Sequence, residues 1–570
     1  MRPFLQFSRP FFTQGIVNDR KEDMVLCCPD PSDIKKELAA DNSEVVQEIV
    51  CKATDVPEGT MKEVEVRERK IVIINDGGKF LALNGLCSHY NWPLVQGVYS
   101  DGKIRCSLHG ACFNAKTGDI EDYPAFDSLH PFEVRRIGED LAIRTTAKRL
   151  ESNRRTRKSW IKDTNKDKPI IVVGGGISGQ SVVENLRLAG SKSPIIMLTK
   201  EDRPPYDRVL LSKFMAPDAV PLRTDEWYKE NKVDVRINSK VVSLDSGART
   251  VTLTDKTVIQ YSKLVLALGG AVRTLNGKGS DLKGIHTVRV ISDMKAIQEE
   301  VEGKDVVCIG ASFIGMEAAA GVKKKASSVT VVCSTEEPNP AFGIDIGKAF
   351  RKKWQSRGVN FYTKARVDHL TGGNEGNVKE VVLQSGEKIP AKVVIVGIGV
   401  EPDTAWLTNH NVELDKRGYI MVNESFKTNV KDIFAIGDAV SAPLPFWGYE
   451  TLNIQHFQTA QRHGQLAAWS MLGKPQPGKL IPFFWTLGME VGARLAGSTH
   501  EYDETYVRGD IEAFDWTKYY IRRNVVVAVS TAGKRPAAVQ FLALCDQGVR
   551  ITREDVEENT KDDWAHLLKK

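Results

Sequence analysis

The chain has 570 residues, of which 41% are hydrophobic, and a formal net charge of +6 at neutral pH. That length allows about four domains with separate cores, and so small a net charge does not indicate a dedicated nucleic-acid-binding protein. The nine cysteines lack the spacing of a disulfide framework, which suits a reducing compartment or metal ligation. Because no apolar run approaches the ~18 residues of a membrane span, no transmembrane segment is expected.

Residues 1–43 are predicted to be an N-terminal extension. Met1 to Asn18 contain two arginines, several large apolar residues and no acid, as mitochondrial presequences do, although Pro3 and Pro10 would interrupt a helix there. A disordered tail is the alternative. The predicted location is therefore mitochondrial or cytoplasmic.

Residues 44–147 alternate apolar and polar positions and contain the turn Asp76-Gly77-Gly78, which predicts a small all-β barrel.

Two cysteine–histidine pairs stand inside this barrel segment: Cys87 with His89, and Cys106 with His109. Each pair supplies one sulfur and one nitrogen, so two thiolates on one iron and two imidazoles on the other would hold one [2Fe–2S] cluster of the Rieske type. A structural zinc site is the alternative, but zinc modules usually pair like with like. We expect the histidines to face outward and to provide an exit for electrons to a partner.

The residues that follow, His109 to Asn114, resemble the ferredoxin-type Rieske domain. Trp92 and Leu108 stand where respiratory Rieske proteins carry the cysteines of a disulfide. Ala111 and Phe113 stand where those proteins place hydrogen-bond donors to the cluster. The resemblance implies a low reduction potential, such as a flavin can supply with electrons.

Residues 148–168 are polar and strongly basic, with Arg154, Arg155 and Arg157 close together. This composition predicts a solvated, flexible linker. Binding to nucleic acid or to an anionic membrane is the alternative. We expect that the charges keep the tether solvated and that no nucleic acid is bound.

Residues 169–281, continued by residues 406–475, are predicted to form an α/β Rossmann-like domain that binds FAD. The strand Pro169–Val173 leads into a G-x-G-x-x-G loop and a helix, so the glycines let a pyrophosphate approach the helix N-terminus. Glu201, about twenty residues further on, is the acid expected at the ribose. The residues assigned to this cofactor are Gly174, Gly176, Ile177, Ser178, Gly179 and Glu201.

Residues 282–405 contain a second copy of the motif and are predicted to bind NADH or NADPH. The loop after the strand Asp305–Ile309 supplies Gly310, Ser312 and Gly315. Cys333 stands where the acid that selects NAD is expected, and Glu336, a little later, is assigned in its place. NADH is favoured because no arginine stands nearby to bind a 2′-phosphate.

Asp438 follows a short strand in the sequence Gly437-Asp438. In the two-dinucleotide flavoproteins that this segment resembles, the aspartate binds the ribityl chain of FAD. A helix cap is the alternative interpretation of Asp438.

Residues Tyr206 to Lys213 resemble the R-P-P-L-S-K segment of ferredoxin-type oxygenase reductases and of apoptosis-inducing factor. The resemblance places Arg208 at the cofactor and Lys213 beside the flavin ring, where Lys213 faces Glu317 as a catalytic pair. A surface lysine and a surface glutamate are the alternative. No cysteine lies between residues 112 and 308, so dithiol chemistry is excluded.

The order of these segments, with residues 476–570 as an α+β C-terminal domain of reductase or dimerisation type, is similar to the apoptosis-inducing factor-like proteins of the mitochondrion-associated factor 3 branch. The resemblance places Trp485 on the flavin face, a core position being the alternative. It implies electron flow from NAD(P)H through FAD to the cluster and on to an unknown protein or small molecule. The resemblance also makes a homodimer one candidate assembly. The alternative function is a redox-sensing, apoptosis-related signalling protein with slow NADH oxidase activity.

Overall fold

The computed structural model describes residues 43–569, except residues 158, 160, 162, 217 and 219. The proposed targeting segment therefore lies almost wholly outside the described residues. Within the described part, no helix combines the length and the apolar character needed to cross a membrane.

The N-terminal region is all-β, as predicted. One antiparallel sheet has the order β1-β10-β9-β4-β3-β2, and a smaller one has the order β5-β6-β7-β8. The elements are β1 (Val45–Lys52), β2 (Met61–Val66), β3 (Arg69–Asp76), β4 (Lys79–Asn84), β5 (Val98–Ser100), β6 (Lys103–Arg105), β7 (Cys112–Asn114), β8 (Ile120–Asp122), β9 (Pro131–Ile137), β10 (Asp140–Thr146) and α1 (Ala147–Glu151).

Strand β3 explains how this region stays compact. Val72 and Ile74 on one face pack into the core beneath the cluster loops, and Ile71 and Ile73 on the other face pack into a second core. Successive side chains of a strand point to opposite faces, so one apolar strand joins both cores.

The first dinucleotide region contains a parallel sheet of order β13-β12-β11-β17-β29. Its strands are short, buried and rich in β-branched residues, as parallel strands covered on both faces are. The elements up to residue 272 are β11 (Ile170–Val173), α2 (Ile177–Leu188), β12 (Ile195–Leu198), α3 (Val209–Lys213), α4 (Asp225–Glu230), β13 (Val233–Arg236), β14 (Val241–Asp245), β15 (Thr250–Leu253), β16 (Val258–Gln260), β17 (Lys263–Leu266) and β18 (Gly270–Val272).

The second dinucleotide region repeats this plan, with a parallel sheet of order β19-β26-β20-β21-β22. Its elements are β19 (Ile285–Thr287), α5 (Ile291–Glu300), β20 (Asp305–Ile309), α6 (Phe313–Val322), β21 (Ser328–Val332), α7 (Ile344–Gln355), β22 (Val359–Tyr362), β23 (Val367–Gly372), β24 (Val378–Leu383), β25 (Lys388–Pro390), β26 (Val393–Val396) and β27 (Val400–Pro402).

The chain then returns to the first sheet and ends in an antiparallel sheet of order β32-β33-β36-β35-β34. The remaining elements are β28 (Ile420–Met421), β29 (Ile433–Ala435), β30 (Val440–Leu444), β31 (Tyr449–Leu452), α8 (Phe457–Met471), β32 (Phe483–Gly488), β33 (Val491–Gly497), β34 (Glu504–Asp510), β35 (Asp515–Arg522), β36 (Val525–Ala532), α9 (Ala537–Gln547) and α10 (Arg553–Glu558). The predicted architecture, a β-rich N-terminal region followed by two α/β regions with parallel sheets and a C-terminal α+β region, is confirmed.

The prediction of a solvated linker is wrong for the first half of residues 148–168. Arg155 exchanges two backbone hydrogen bonds with Ser128, and its guanidinium donates to Leu129 O at 2.8 Å and to the Asp119 carboxylate at 2.6 Å. Arg155 therefore binds carbonyl and carboxylate groups of the barrel, so this part of the segment lies on the barrel surface. Only residues 163–168 form an uninterrupted exposed stretch.

The β-barrel also packs directly on the reductase half. Asn185 Nδ2 donates to Tyr123 Oη at 2.7 Å, and Gln458 Nε2 donates to Tyr123 O at 2.7 Å. Arg105, whose side chain is 5% exposed, forms ion pairs with Asp122 and with Asp546 at 3.1 and 3.0 Å. Buried, hydrogen-bonded polar contacts of this kind fix the orientation of the two halves.

Candidate functional site

The four cysteine and histidine side chains project from two loops of the same construction. In the first loop, the Cys87 N–H donates to Trp92 O at 2.8 Å, and the Asn91 N–H donates back to Cys87 O at 2.9 Å. The second loop repeats this, with the Cys106 N–H donating to Ala111 O at 2.8 Å and the Gly110 N–H donating to Cys106 O at 2.9 Å. The two cysteines therefore occupy equivalent positions, while the histidine follows two residues later in the first loop and three residues later in the second.

The donor atoms fit a pair of irons. His89 Nδ1 and His109 Nδ1 lie 3.1 Å apart, as two nitrogens on one metal do when each bond is about 2.0–2.1 Å. The Cys87 and Cys106 thiols are both buried, and the neighbouring Cys106 raises the pKa of Cys87. No point in the described residues gathers three or more such donors around a single ion, whereas structural zinc takes four. Two donors per iron are what a Rieske cluster requires.

The expectation that the histidines face outward is wrong for His109. The His109 ring lies 4.6 Å from the ring of Trp485 in the C-terminal sheet, and the His89 ring lies 6.2 Å from the same indole. Burial, together with the Arg154 cation, lowers the pKa of His89 to about 3. Burial also holds the pKa of His109 well below its usual range. Both imidazoles are therefore neutral, the form that ligates metal. The His109 ring is buried against the reductase half, whereas His89 is half-buried beside Tyr90.

The first dinucleotide loop has the close packing that its motif implies. Gly174 has a φ of +124°, and a Cβ there would lie 2.1 Å from Ala267 O. A Cβ on Gly179 would lie 2.1 Å from Gly174 O. Gly176, Ile177 and Ser178 form the start of α2, so backbone N–H groups at the helix N-terminus are available to a pyrophosphate.

Three predicted FAD residues lie on the carboxyl side of this sheet. Glu201 pairs with the Arg208 guanidinium and accepts a hydrogen bond from Tyr206 Oη at 3.0 Å. Asp438 lies inside the 3-10 turn Gly437–Ala439 and not at its N-cap, so the helix-cap interpretation is wrong. Its carboxylate accepts no hydrogen bond from the described residues. Burial raises the pKa of Asp438, and Arg289 and Arg208 oppose that shift.

Lys213 and Glu317 form a buried ion pair between α3 and α6, with side chains 9% and 5% exposed. The surface interpretation of these two residues is therefore wrong. Ser212 Oγ donates to Glu317 Oε2 at 2.7 Å, and Thr486 Oγ1 donates to Glu317 Oε1 at 3.5 Å.

The indole of Trp485 connects the region of the Lys213–Glu317 ion pair to the cluster loops. Its ring lies 4.8 Å from the ring of His456, whose pKa burial and Lys213 lower to about 3. Trp485 Nε1 is buried without a hydrogen-bond partner among the described residues. Such an orphaned donor beside a buried ion pair fits a site that a polar cofactor completes.

The second dinucleotide loop is as tight as the first but lacks an acid at the end of its second strand. A Cβ on Gly315 would lie 2.0 Å from Gly310 O, and Ser312 is the N-cap of α6. Cys333 is buried, and Glu336 is exposed and pairs with Lys364 at 3.1 Å. The neighbouring Glu337 is buried in a two-point ion pair with Arg351.

Sequence reasoning missed several residues of the site. These are Tyr90, which stacks on His89 at 3.9 Å; Ser212 and Thr486, which bind Glu317; Arg289, beside Asp438; and Arg494, whose pKa burial lowers although Cys106 opposes the shift. Arg494 is paired with Trp485 across adjacent strands. Tyr90, Ser212 and Thr486 each carried a local signal, because they stand next to the predicted residues His89, Lys213 and Trp485.

Two family models match the chain. The pyridine nucleotide-disulphide oxidoreductase model matches residues 168–464, and the Rieske [2Fe-2S] domain model matches residues 47–133. The chain belongs to the pyridine nucleotide-disulphide oxidoreductase family and carries a fused Rieske domain. It is an NAD(P)H-dependent oxidoreductase of the ferredoxin reductase type, with FAD and a [2Fe–2S] cluster as cofactors.

Individual relatives agree with this assignment. Apoptosis-inducing factor 3 of Homo sapiens is 36% identical over 526 residues, which cover 90% of this chain and 86% of the relative. Rubredoxin-NAD(+) reductase of Ectopseudomonas oleovorans is 30% identical over 373 residues, 64% of this chain and 95% of the relative. The reductase fold is also that of the covalent putidaredoxin reductase-putidaredoxin complex (TM-score 0.64, 24% identity, 67% of this chain and 94% of that chain).

Proposed function

We propose that electrons pass from NAD(P)H to FAD and then, within the same chain, to the Rieske cluster. The observation that carries this proposal is the contact between the two halves. Trp485, beside the Lys213–Glu317 region, lies 4.6 Å from the predicted cluster ligand His109. The Lys213 cation is also close enough to His109 to contribute to lowering the pKa of that imidazole.

The assignment of residues to cofactors is part of the proposal. The cluster ligands are Cys87, His89, Cys106 and His109. FAD is held by Gly174, Gly176, Ile177, Ser178, Gly179, Glu201, Arg208, Asp438 and Trp485, and NAD(P)H by Gly310, Ser312, Gly315 and Glu336. The glycines and helix N-termini suit pyrophosphates, and Asp438 has a free carboxylate for a hydroxyl-bearing chain.

When bound, FAD accepts a hydride from NAD(P)H, and the [2Fe–2S] cluster accepts single electrons. Lys213 supplies a fixed positive charge to the flavin site, and Glu317 holds the ammonium group in place. Ser212 and Thr486 hold Glu317. Trp485, which is 5% exposed, excludes water between the two sites.

The relatives support a reductase whose electron acceptor is an iron protein. The name of the Ectopseudomonas oleovorans relative joins rubredoxin and NAD(+). In this chain, the fused Rieske domain takes the place of such a separate acceptor. Covalent fusion and the buried contacts of Arg105 and Tyr123 hold the acceptor at the reductase, as tethering raises effective concentration.

Replacement of one cluster ligand tests this relay. We expect Cys106→Ser to retain NADH-driven ferricyanide reduction but to lose NADH-driven cytochrome reduction and the low-average-g electron paramagnetic resonance (EPR) signal of the cluster. Cys112→Ser is the matched control, because Cys112 is a buried cysteine of the same domain outside the ligand set. Unchanged cytochrome reduction by Cys106→Ser would refute the relay.

We also propose a mitochondrial location, supported by the basic, acid-free residues Met1 to Asn18. Subcellular fractionation with and without those residues tests it. The oligomeric state, with a homodimer as one candidate, is tested by sedimentation velocity of the holoenzyme. An apoptosis-related signalling role is the second candidate, supported by the similarity to apoptosis-inducing factor 3; a turnover rate far below that of an electron-transfer enzyme would favour it.

A further inference from the structure

One segment, to which the proposed function gives no role, has a net charge equal to that of the whole chain. Residues 148–168 contain nine lysines and arginines and three acids, so this segment alone accounts for the formal charge of +6. Its first half lies against the first cluster loop, the loop from Cys87 to Pro93. Arg154 Nη2 donates to His89 O at 3.2 Å, and Asn153 Nδ2 donates to Asn91 Oδ1 at 2.9 Å.

The first cluster loop lies close to the protein surface, with Asn91 exposed and His89 half-buried. His109 and the thiols are buried, but Tyr90 stacks on His89 at 3.9 Å and its ring lies 6.4 Å from Phe214. Phe214 is 59% exposed. Phe214 therefore contributes exposed apolar area close to Tyr90 and the first cluster loop.

The loop-1 patch is defined by Asn91, Trp92, Arg154 and Phe214. Trp92 Nε1 donates to Ser107 Oγ at 3.0 Å and so ties the two ligand loops together. Arg154 is exposed and has no carboxylate partner among the described residues. Of the nearby acids, Asp119 and Asp127 are paired with Arg155 and Arg223. Asp207, which acts on Tyr90, accepts the Val209 N–H at 2.9 Å. The patch therefore combines an available cation with apolar contact area.

We propose that an acidic protein that accepts one electron at a time docks on the loop-1 patch and is reduced by the cluster through its His89 side. This inference rests on the proposed function and names the class of its acceptor. In each transfer, the reduced cluster loses one electron and the acceptor gains it, and no bond forms or breaks. The basic segment steers an acidic partner to the patch and suppresses binding of basic ones.

Transfer to two haem proteins of opposite charge tests the proposal. The probes are the soluble domain of cytochrome b5, which is acidic, and cytochrome c, which is basic, with the NADH-loaded holoenzyme as donor. We expect higher kcat/KM for the acidic probe, decreasing as salt rises from low to physiological ionic strength. Arg154→Glu should lower kcat/KM for the acidic probe by roughly threefold to tenfold, a small part of the range of steered association.

The controls separate charge from local disruption. Arg154→Lys keeps the cation and should retain at least half of the wild-type kcat/KM. Arg136→Gln removes an exposed arginine from β9 of the same domain and should have no effect. An equal effect of Arg154→Glu and Arg136→Gln on the acidic probe would overturn the docking site, as would a preference for the basic probe. Salt-sensitive binding to anionic vesicles or to DNA that prevents transfer to the acidic probe would also overturn it.

The NADH-driven appearance of the reduced cluster, followed by EPR, reports the internal step alone. If Arg154→Glu leaves the rate of cluster reduction unchanged and slows only electron transfer to the acidic probe, the patch is the docking site. If the cluster is never reduced in the wild-type chain, the relay itself has failed, and the docking proposal fails with it. If the Arg154→Glu variant does not incorporate the cluster, Arg154→Gln is used in its place. The same decrease in kcat/KM for the acidic probe is expected.

Discussion

The ring of Trp485 lies 4.6 Å from the ring of His109, although 376 positions separate them in the sequence. One residue belongs to the C-terminal sheet and the other to the Rieske barrel, so this contact joins the two functional halves. Burial keeps His109 neutral, and the indole keeps water out of the space between the halves. The two halves therefore meet at a buried aromatic contact.

Trp485→Leu should slow reduction of the cluster without slowing reduction of the flavin by NADH. Loss of the ring lets the His109 side of the barrel shift relative to the reductase, and a misplacement of about 1 Å can cost up to about 10²-fold in rate. Stopped-flow absorbance separates the two steps. Trp485→Phe, which keeps an aromatic ring, should recover most of the rate, and equal slowing of both steps would contradict this role.

Glu317→Gln should destabilise the reductase half and impair hydride transfer. The variant leaves the buried Lys213 ammonium without its counter-charge, and breaking a buried pair in this way costs about 3–5 kcal/mol. Chemical denaturation of the holoenzyme measures the loss. The double variant Lys213→Met with Glu317→Leu should recover stability but not hydride transfer, and recovery of both would exclude a functional role for the pair.

Asp546→Asn should weaken the contact between the barrel and the C-terminal helix α9. Burial raises the pKa of Asp546, but the Arg105 and Lys103 cations outweigh it and hold that pKa below its ordinary value of 3.8. The ionised carboxylate therefore stabilises the fold above that value, and the contribution is lost as the pH falls through the lower, folded pKa.

The expected cost of Asp546→Asn at pH 7 is about 1.5–3 kcal/mol, as for a hydrogen bond to a charged group. Denaturation between pH 3 and pH 7 should show the difference from wild type shrinking in acid. Asp234→Asn, at an exposed ion pair with Arg236, is the control and should cost about 1 kcal/mol or less. A difference that persists unchanged at the acid end would contradict the assignment.

The stability of the reductase half should decrease as the pH falls below 6.5, because of the buried His463. Burial lowers the pKa of His463 from 6.5 to about 3, and its Nδ1 accepts the Gly437 N–H at 3.2 Å. Because the unfolded chain binds the proton first, the stabilising contribution is complete above pH 6.5 and decreases by about 1.4 kcal/mol per pH unit between 6.5 and the folded pKa.

His463→Asn, which keeps an acceptor for Gly437, should reduce the slope by about 1.4 kcal/mol per pH unit. His456 and His130, whose pKa values burial also lowers, contribute slopes of their own, which remain. Denaturation of the holoenzyme from pH 4 to pH 7 measures it. His566→Asn, at an exposed histidine, is the control. An unchanged slope in His463→Asn would mean that the imidazole is accessible to protons in the folded state.

The sequence by itself determined the parts of the site that depend on residues close together in the chain. The spacing Cys87–His89 and Cys106–His109 is enough to bring each pair onto one loop. The glycines at 174 and 310 are needed for backbone conformations that an L side chain rarely adopts, with φ of +124° and +104°. Such local requirements are written in residue type and spacing, and the fold class followed from them.

The tertiary structure alone decided which way the parts face. The sequence interpretation had the histidines outward and residues 148–168 free, but Trp485 covers His109, and Arg155 is bound to Asp119. Arg105 pairs with Asp546 across 441 positions. Contacts of this kind depend on which surfaces of separately folded units bury each other, and no local periodicity in the chain contains that information.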